Sequence, residues 1–389
     1  MIKEHPYLHN LTPLRGFAAL GVAVFHFKGS ILLFSHISWT KAMDKGYMMV
    51  DLFFIMSGFI IMHVYGESFT RRLTKTDMRK FFIARLARIY PLHLFTLLCL
   101  VAVVWWQGDW NIVNDPAAIP THLLLLHSFG IQKIYTWNRH SWSLSAEWAA
   151  YVVFPVLALF LGRKVRLAYL VLPLCIIMSY ISLLYWLPPA GFGNRTRLLL
   201  HELDVTYDYG FLRGIAGFTL GMLLYKAYSN EKIRLFFSRD SAALTFILLT
   251  VFFMHEEVND LLLIFSFTGL VFSFAANCAC LHRVCSFRAT QFIGKVSYSI
   301  YLIQGLVTML FMACLQLPGI RQVVPPIYTA SLLPASLYML AYLTFLVGLS
   351  AITYYGLENP CRNFINRTFV AREKRRPKVS EVPVLLPPE

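Results

Sequence analysis

Apolar residues along this chain gather into stretches of about twenty, the length at which an α-helix crosses the hydrocarbon core of a bilayer. Ten such stretches can be read: 12–34, 47–66, 89–107, 142–162, 166–187, 209–228, 240–255, 261–281, 294–316 and 330–356. Polar residues collect between them, so the expected fold is an all-α integral membrane protein, a bundle of about ten transmembrane helices. Residues 1–360 are expected to form a single membrane domain. Residues 361–389 turn basic and then proline-rich, and are expected to be a disordered cytoplasmic tail. The stretch 120–130 is apolar and contains histidines but is too short to span, so it is expected to be re-entrant or interfacial. No inverted repeat of the kind common in secondary transporters is visible. No small-residue cleavage site follows the first stretch, which is therefore expected to be retained.

Composition agrees: 57% hydrophobic and only 14% charged residues exclude an ordinary water-soluble domain. The net charge of +15 would suit nucleic acid, but its distribution follows the membrane. With the N-terminus inside, loops on that side carry Arg71, Arg72, Lys75, Arg79 and Lys80, then Arg163, Lys164 and Arg166, then Lys226 to Arg239, then Arg283, Arg288 and Lys295. Loops on the opposite side are poorer, with Lys41, Lys45, Lys133, Arg139, Arg195, Arg197 and Arg321. This bias predicts that both termini are cytoplasmic and that the partner is a lipid bilayer, not nucleic acid. The seven cysteines, Cys278 among them, are scattered without a paired Cys-x-x-Cys, so no disulfide framework and no metal is assigned.

Ionisable residues inside the apolar stretches carry the functional signal, because a charge in the bilayer is costly unless it has a task. Arg15 and His26 both lie in the first stretch. Eleven residues at about 100° each bring them back to one helix face, about 16 Å apart along the axis. By depth, Glu147 in the fourth stretch is expected at the level of His26, and a carboxylate beside an imidazole suits a general base that abstracts a proton from a hydroxyl. Asp51, near the start of the second stretch, and Tyr298 and Gln304 in the ninth add further polar groups. Structural pairing between helices is the plain alternative for any one of these residues. Arg85 and Arg88, at i and i+3 on the cytoplasmic side, make a guanidinium patch suited to phosphates. An acyl-coenzyme A donor fits both features, with its phosphates on the patch and its pantetheine arm reaching inward.

These residues sit in segments that resemble acyltransferase family 3, a group of polytopic membrane O-acyltransferases of surface polysaccharides and related acceptors. Leu14-Arg15-Gly16 through Phe25-His26 resembles the family's Arg-x10-His helix, and Asp51 through Ser57-Gly58-Phe59 resembles its Ser-Gly-Phe segment. Arg85-x-x-Arg88-Ile-Tyr-Pro91 is similar to its Arg-x-x-Arg motif. Trp142-Ser-Leu-Ser-Ala-Glu147-x-x-x-Tyr151, Gly294 through Tyr298, and Glu358-Asn-Pro360 also fit. The resemblance implies an acyl-CoA, most simply acetyl-CoA, as donor substrate and a carbohydrate or glycolipid hydroxyl as acceptor. It also implies location in the bacterial inner membrane, beside polysaccharide biosynthesis machinery. Arg15 and His26 are the residues it carries over for catalysis. Many relatives have histidine where this chain has Gln304, so a second titratable group there is not expected to be essential. No appended esterase-like domain is expected.

The resulting expectation is an acyl-CoA-dependent O-acyltransferase. His26 serves as general base, with Arg15 and Glu147 beside it, Arg85 and Arg88 bind the donor, and Asp51, Ser57, Tyr151 and Tyr298 support them. Direct transfer and a covalent acyl intermediate both stay open. The rival reading is a proton-coupled transporter or flippase of a saccharide, which would use the same Arg, His and Glu as an ion path.

Overall fold

The computed structural model describes residues 8–35, 38–188, 202–256, 258–277, 279–322, 326–327 and 331–370. Arg195, Arg197, Cys278 and the tail beyond residue 370 lie outside them. Every regular element among the described residues is helical. The ten apolar stretches contain α1 (Leu11–Lys28), α2 (Met49–Arg71), α3 (Lys75–Gln107), α4 (Trp142–Arg163) and α5 (Val165–Ile181). They continue with α6 (Gly210–Tyr228), α7 (Asp240–His255), α8 (Asp260–Ala276), α9 (Arg288–Leu315) and α10 (Leu332–Thr353).

Among the described residues, six helical runs are long and apolar enough to cross a membrane: Lys41–Arg71, Lys75–Gln107, Arg139–Arg163, Val165–Trp186, Arg288–Leu315 and Leu332–Val370. A seventh results if the short helix Glu231–Phe237 and α7, bent by 67°, form one span. Fewer helices qualify than the ten expected. α8 has only 17 residues, and α1 and α6 carry Arg15, His26 and Arg213 within short helices. These are the helices in which apolarity gives way to chemistry.

Two boundaries differ from the sequence expectation, and both bring cations to one region. α3 begins at Lys75 instead of residue 89, because Thr74 caps it: the Asp77 backbone N–H donates to Thr74 Oγ1 at 3.1 Å. At about 1.5 Å per residue its 33 residues measure about 50 Å, well beyond a hydrocarbon core of about 30 Å, so the turns bearing Arg79, Arg85 and Arg88 extend the span as helix. At the other end, the chain passes through a π-helical turn (Tyr354–Glu358) into α11 (Asn359–Ile365) and a second π turn (Asn366–Val370). Residues 361–370, expected in a disordered tail, are therefore helical, and they pack against α3.

Glycines set the closest helix crossings. A Cβ on Gly58 would fall 1.9 Å from the Phe218 carbonyl oxygen, and one on Gly221 would fall 2.0 Å from that of Ile55, so α2 and α6 touch backbone to backbone. This contact matters because it carries Asp51 of α2 to Arg213 of α6. Both side chains are fully buried, and Arg213 donates through Nε and NH2 to the two carboxylate oxygens. Its remaining NH1 and NH2 protons go to the carbonyls of Val205 (3.1 Å) and Tyr47 (3.2 Å).

The 120–130 stretch contains a short helix, Ile119–Leu123, followed by turns. It places His122 and His127 face to face, with ring centroids 4.1 Å apart, alongside His93 of α3. Burial, reinforced by the neighbouring imidazoles, lowers His122 to about 2 and His127 to about 3. Both therefore stay neutral in the folded protein while the unfolded chain takes up protons below about pH 6.5.

Two outcomes follow for stability. Arg213→Met, which strands the Asp51 carboxylate, is expected to cost about 3–5 kcal/mol in detergent unfolding, and adding Asp51→Leu should recover most of that loss. Stability is also expected to fall as pH drops from about 6.5 toward 3, by about 1.4 kcal/mol per pH unit for each uncompensated histidine. His122→Asn and His127→Asn should flatten that slope in melting curves taken at pH 7, 6 and 5.

Candidate active site

α1, α2, α3, α4, α9 and the terminal helical run enclose a cavity of about 700 Å³. Seven of the expected site residues line it: Arg15, Ser57, Arg85, Arg88, Glu147, Tyr151 and Tyr298. Helical periodicity explains the convergence. Val50, Phe54, Ser57, Ile61 and Tyr65 recur on one face of α2, and the cavity follows that face for 15 residues, about 22 Å.

The polar groups on its walls are tied together across helices. Glu147 Oε1 accepts from Ser57 Oγ at 2.9 Å and from the Tyr151 hydroxyl one turn away on α4. Arg85 lies over the rings of Tyr65 (5.5 Å) and Tyr151 (5.9 Å), and donates to the Tyr65 hydroxyl at 3.4 Å. Arg88 pairs with Glu358 and sits over the Tyr298 ring at 5.1 Å, while Ser299 Oγ donates to the other Glu358 oxygen at 2.8 Å. The Tyr298 hydroxyl donates to the Ile89 carbonyl and so holds α9 to α3. Arg15 makes no hydrogen bond or ion pair with another described residue, and its guanidinium faces the cavity. Lys295 and Arg362 complete five cationic side chains on the lining, against the single lining carboxylate of Glu147. Such a surface is built for a polyanion.

His26 lies elsewhere. It lines a second, smaller cavity of about 40 Å³ with Tyr47, Tyr135, Arg139, Asp204 and Thr206. Val50 and Tyr301 line both cavities and form the partition between them. The ring beside His26 belongs to His140, edge-on at 4.4 Å between centroids. Both His140 ring nitrogens are buried without a hydrogen-bond partner. The expected pairing of His26 with Glu147 is thus replaced: the Glu147 carboxylate is taken up by Ser57 and Tyr151. The reason is depth. His140 precedes Glu147 by seven residues, two turns or about 10 Å along the helix, and it is His140 that stands at the level of His26. Asp51 lines neither cavity, being held by Arg213.

Sequence reasoning passed over His140, Tyr65 and Arg213, and counted Lys295 and Arg362 only as loop and tail charge. His140 had a readable signal, since it lies on the helix face of Glu147 at i+7. Arg213 had one too, as a cation inside an apolar stretch.

Comparison with known proteins places the chain. The family model described as an acyltransferase domain, that of acyltransferase family 3, matches residues 8–355. An O-acetyltransferase OatA of Staphylococcus aureus is 24% identical over 323 residues, covering 76% of this chain and 50% of that protein. A peptidoglycan O-acetyltransferase OatA of Listeria monocytogenes is 22% identical over 384 residues, covering 93% of this chain and 58% of that one. The acyltransferase MdmB of Streptomyces mycarofaciens is 32% identical over 163 residues, 38% of each chain. This chain spans about half the length of the OatA relatives. No solved structure matches it.

The cavity is expected to bind inorganic pyrophosphate. Arg85→Ala removes a charge-assisted donor set and should weaken that binding by about tenfold or more in calorimetry of the purified protein. Lys133→Ala, outside the cavity, should leave it unchanged.

Proposed function

This chain belongs to acyltransferase family 3, and we propose that it transfers an acyl group, acetyl by preference, from acyl-CoA to a hydroxyl of a carbohydrate or lipid-linked sugar. The observation that supports this most directly is the pairing of the two cavities. One is large and cationic, the other is small and holds His26, and Val50 and Tyr301 line both. A thioester whose phosphates rest on Arg15, Arg85 and Arg88 can extend along the α2 face to that partition, a run of about 22 Å. The relatives named as O-acetyltransferases, one of them of peptidoglycan, support a glycan acceptor. In this reading all ten helices cross the bacterial inner membrane, with both termini cytoplasmic, so donor and acceptor approach from opposite sides.

In the proposed reaction the acceptor hydroxyl lies against His26, whose neutral imidazole takes its proton as the oxygen attacks the thioester carbonyl. The carbon–sulfur bond breaks, the acyl group stays on the acceptor oxygen, and the coenzyme leaves as a thiolate that regains the proton from the imidazolium. His140, edge-on to His26, keeps the ring oriented in place of the carboxylate. Glu147, anchored by Ser57 and Tyr151, contributes on the donor side by fixing the tyrosine over which Arg85 lies. Such positioning of two substrates is itself a large part of the rate enhancement. Family membership favours this enzyme over the saccharide transporter.

His26→Ala is expected to lower acyl transfer by about 100-fold or more while leaving pyrophosphate binding intact. Mass spectrometry of surface glycans and lipids from cells expressing wild type, His26→Ala or no enzyme reads this directly. Wild-type acylation by the alanine form would overturn the reading.

A further inference from the structure

The family match ends at residue 355, but the cavity wall does not. Tyr354, Arg362, Asn366 and Val370 all line it from the terminal helical run. These four, with Glu358 between Tyr354 and Arg362, recur every four residues. In a pure α-helix such a stripe drifts by about 40° per step, since four residues exceed one turn of 3.6. Here the π turns Tyr354–Glu358 and Asn366–Val370 widen the helix at both ends of the stripe and take up that drift. The run thus turns one continuous face toward the cavity.

α9 and the terminal run are joined where Ser299 donates to Glu358. From that bond, one turn back along α9 reaches Lys295, and one turn forward along the terminal run reaches Arg362. α9 and the terminal run are antiparallel at this contact, so the two cations stand at one level, about 6 Å beyond the Arg88–Glu358 pair. That level is the mouth. Lys295 is exposed, and the neighbouring Gly294 abuts the Thr12 carbonyl at the start of α1. Arg362 is oriented by its NH2 donating to Asn359 Oδ1 at 2.8 Å. One turn further, Asn366 Oδ1 is buried without a partner.

The cavity therefore has two separate basic groups. They are divided by wall: Arg85 lies against Tyr65 of α2 and Tyr151 of α4, whereas Lys295 and Arg362 stand where α9 meets the terminal run, beside an unpaired amide acceptor. Coenzyme A has the matching division, a diphosphate next to its arm and a second phosphate on the ribose 3′ oxygen beside adenine. We propose that the terminal helical run, with Lys295, forms a subsite for the adenosine 3′-phosphate end of the donor. Arg362 and Lys295 hold the 3′-phosphate, and Asn366 Oδ1 accepts from the adenine amino group. This rests on the acyl-CoA reading above and assigns part of donor selectivity, through Arg362 and Asn366, to residues outside the matched domain.

The test compares acetyl-CoA with 3′-dephospho-acetyl-CoA as donors for inverted membrane vesicles, reading label incorporated into glycan. Wild type should prefer acetyl-CoA by tenfold or more in kcat/KM. Arg362→Ala and Lys295→Ala should each shrink that ratio severalfold by raising KM for acetyl-CoA, and Arg362→Lys should retain most of it. Because both donors are read on one preparation, the ratio is independent of how much enzyme folds. Equal use of the two donors by wild type, or a variant that slows both donors alike, would overturn the subsite while leaving acyl-CoA as donor. Transfer from neither donor by wild type would overturn the acyl-CoA reading and the subsite with it.

Discussion

A charge enclosed by apolar helices must be met by an opposite charge, by a full set of hydrogen bonds, or by a ligand. That constraint organises the whole bundle. Arg213 meets Asp51 and two backbone carbonyls, and in doing so locks α6 to α2 and to the chain before α2. Lys45 meets Asp260, whose other oxygen accepts from the Tyr47 hydroxyl, and this ties the start of α8 to the same region. Arg88 meets Glu358 and fastens the terminal run to α3. Among the described residues Arg15 and Arg85 meet no carboxylate, and Arg85 Nε is buried without a partner. Arg15 lines the large cavity and shares a helix face with His26.

The same constraint shows what could be read along the chain. Runs of apolar residues are local, so helices occupy all ten expected stretches, and the common face of Arg15 and His26 follows from the period of one helix. Partners are not local. Asp51 and Arg213 are 162 positions apart, and Arg88 and Glu358 are 270 apart. No periodicity within one stretch selects Arg213 over the lysines near Asp51. Counting residues inward from a loop also misjudged depth by about two turns, which put Glu147 where His140 stands. The helical start of α3 and the helical run to Val370 were hidden for a related reason. Their charged residues read as loop and tail on a hydropathy scan, whereas Thr74 capping and packing against α3 make them helix.

Several of these charges line the large cavity. A hydropathy scan discards Arg79, Arg85, Arg88, Arg362 and Asn366 as connections, yet extending α3 and α10 beyond the apolar stretches keeps all five on helix. Rigid placement lowers the entropy lost when a long polyanionic substrate is bound, and side chains on helices are held more closely than those on loops.

In the proposed reaction the partition between the cavities would be the bottleneck. Val50 and Tyr301 are an aliphatic and an aromatic side chain, and Tyr301 is fixed by its hydroxyl donating to the His140 carbonyl at 3.0 Å. A neutral thioester loses little by passing between such groups, whereas a phosphate would be stripped of water with no cation to meet it. The wall is therefore selective by desolvation as much as by size. In the proposed reaction it would admit the acyl end to the His26 side and retain the nucleotide on the cationic side. The link from Tyr301 to the His140 backbone also joins this wall to the segment that carries the ring beside His26.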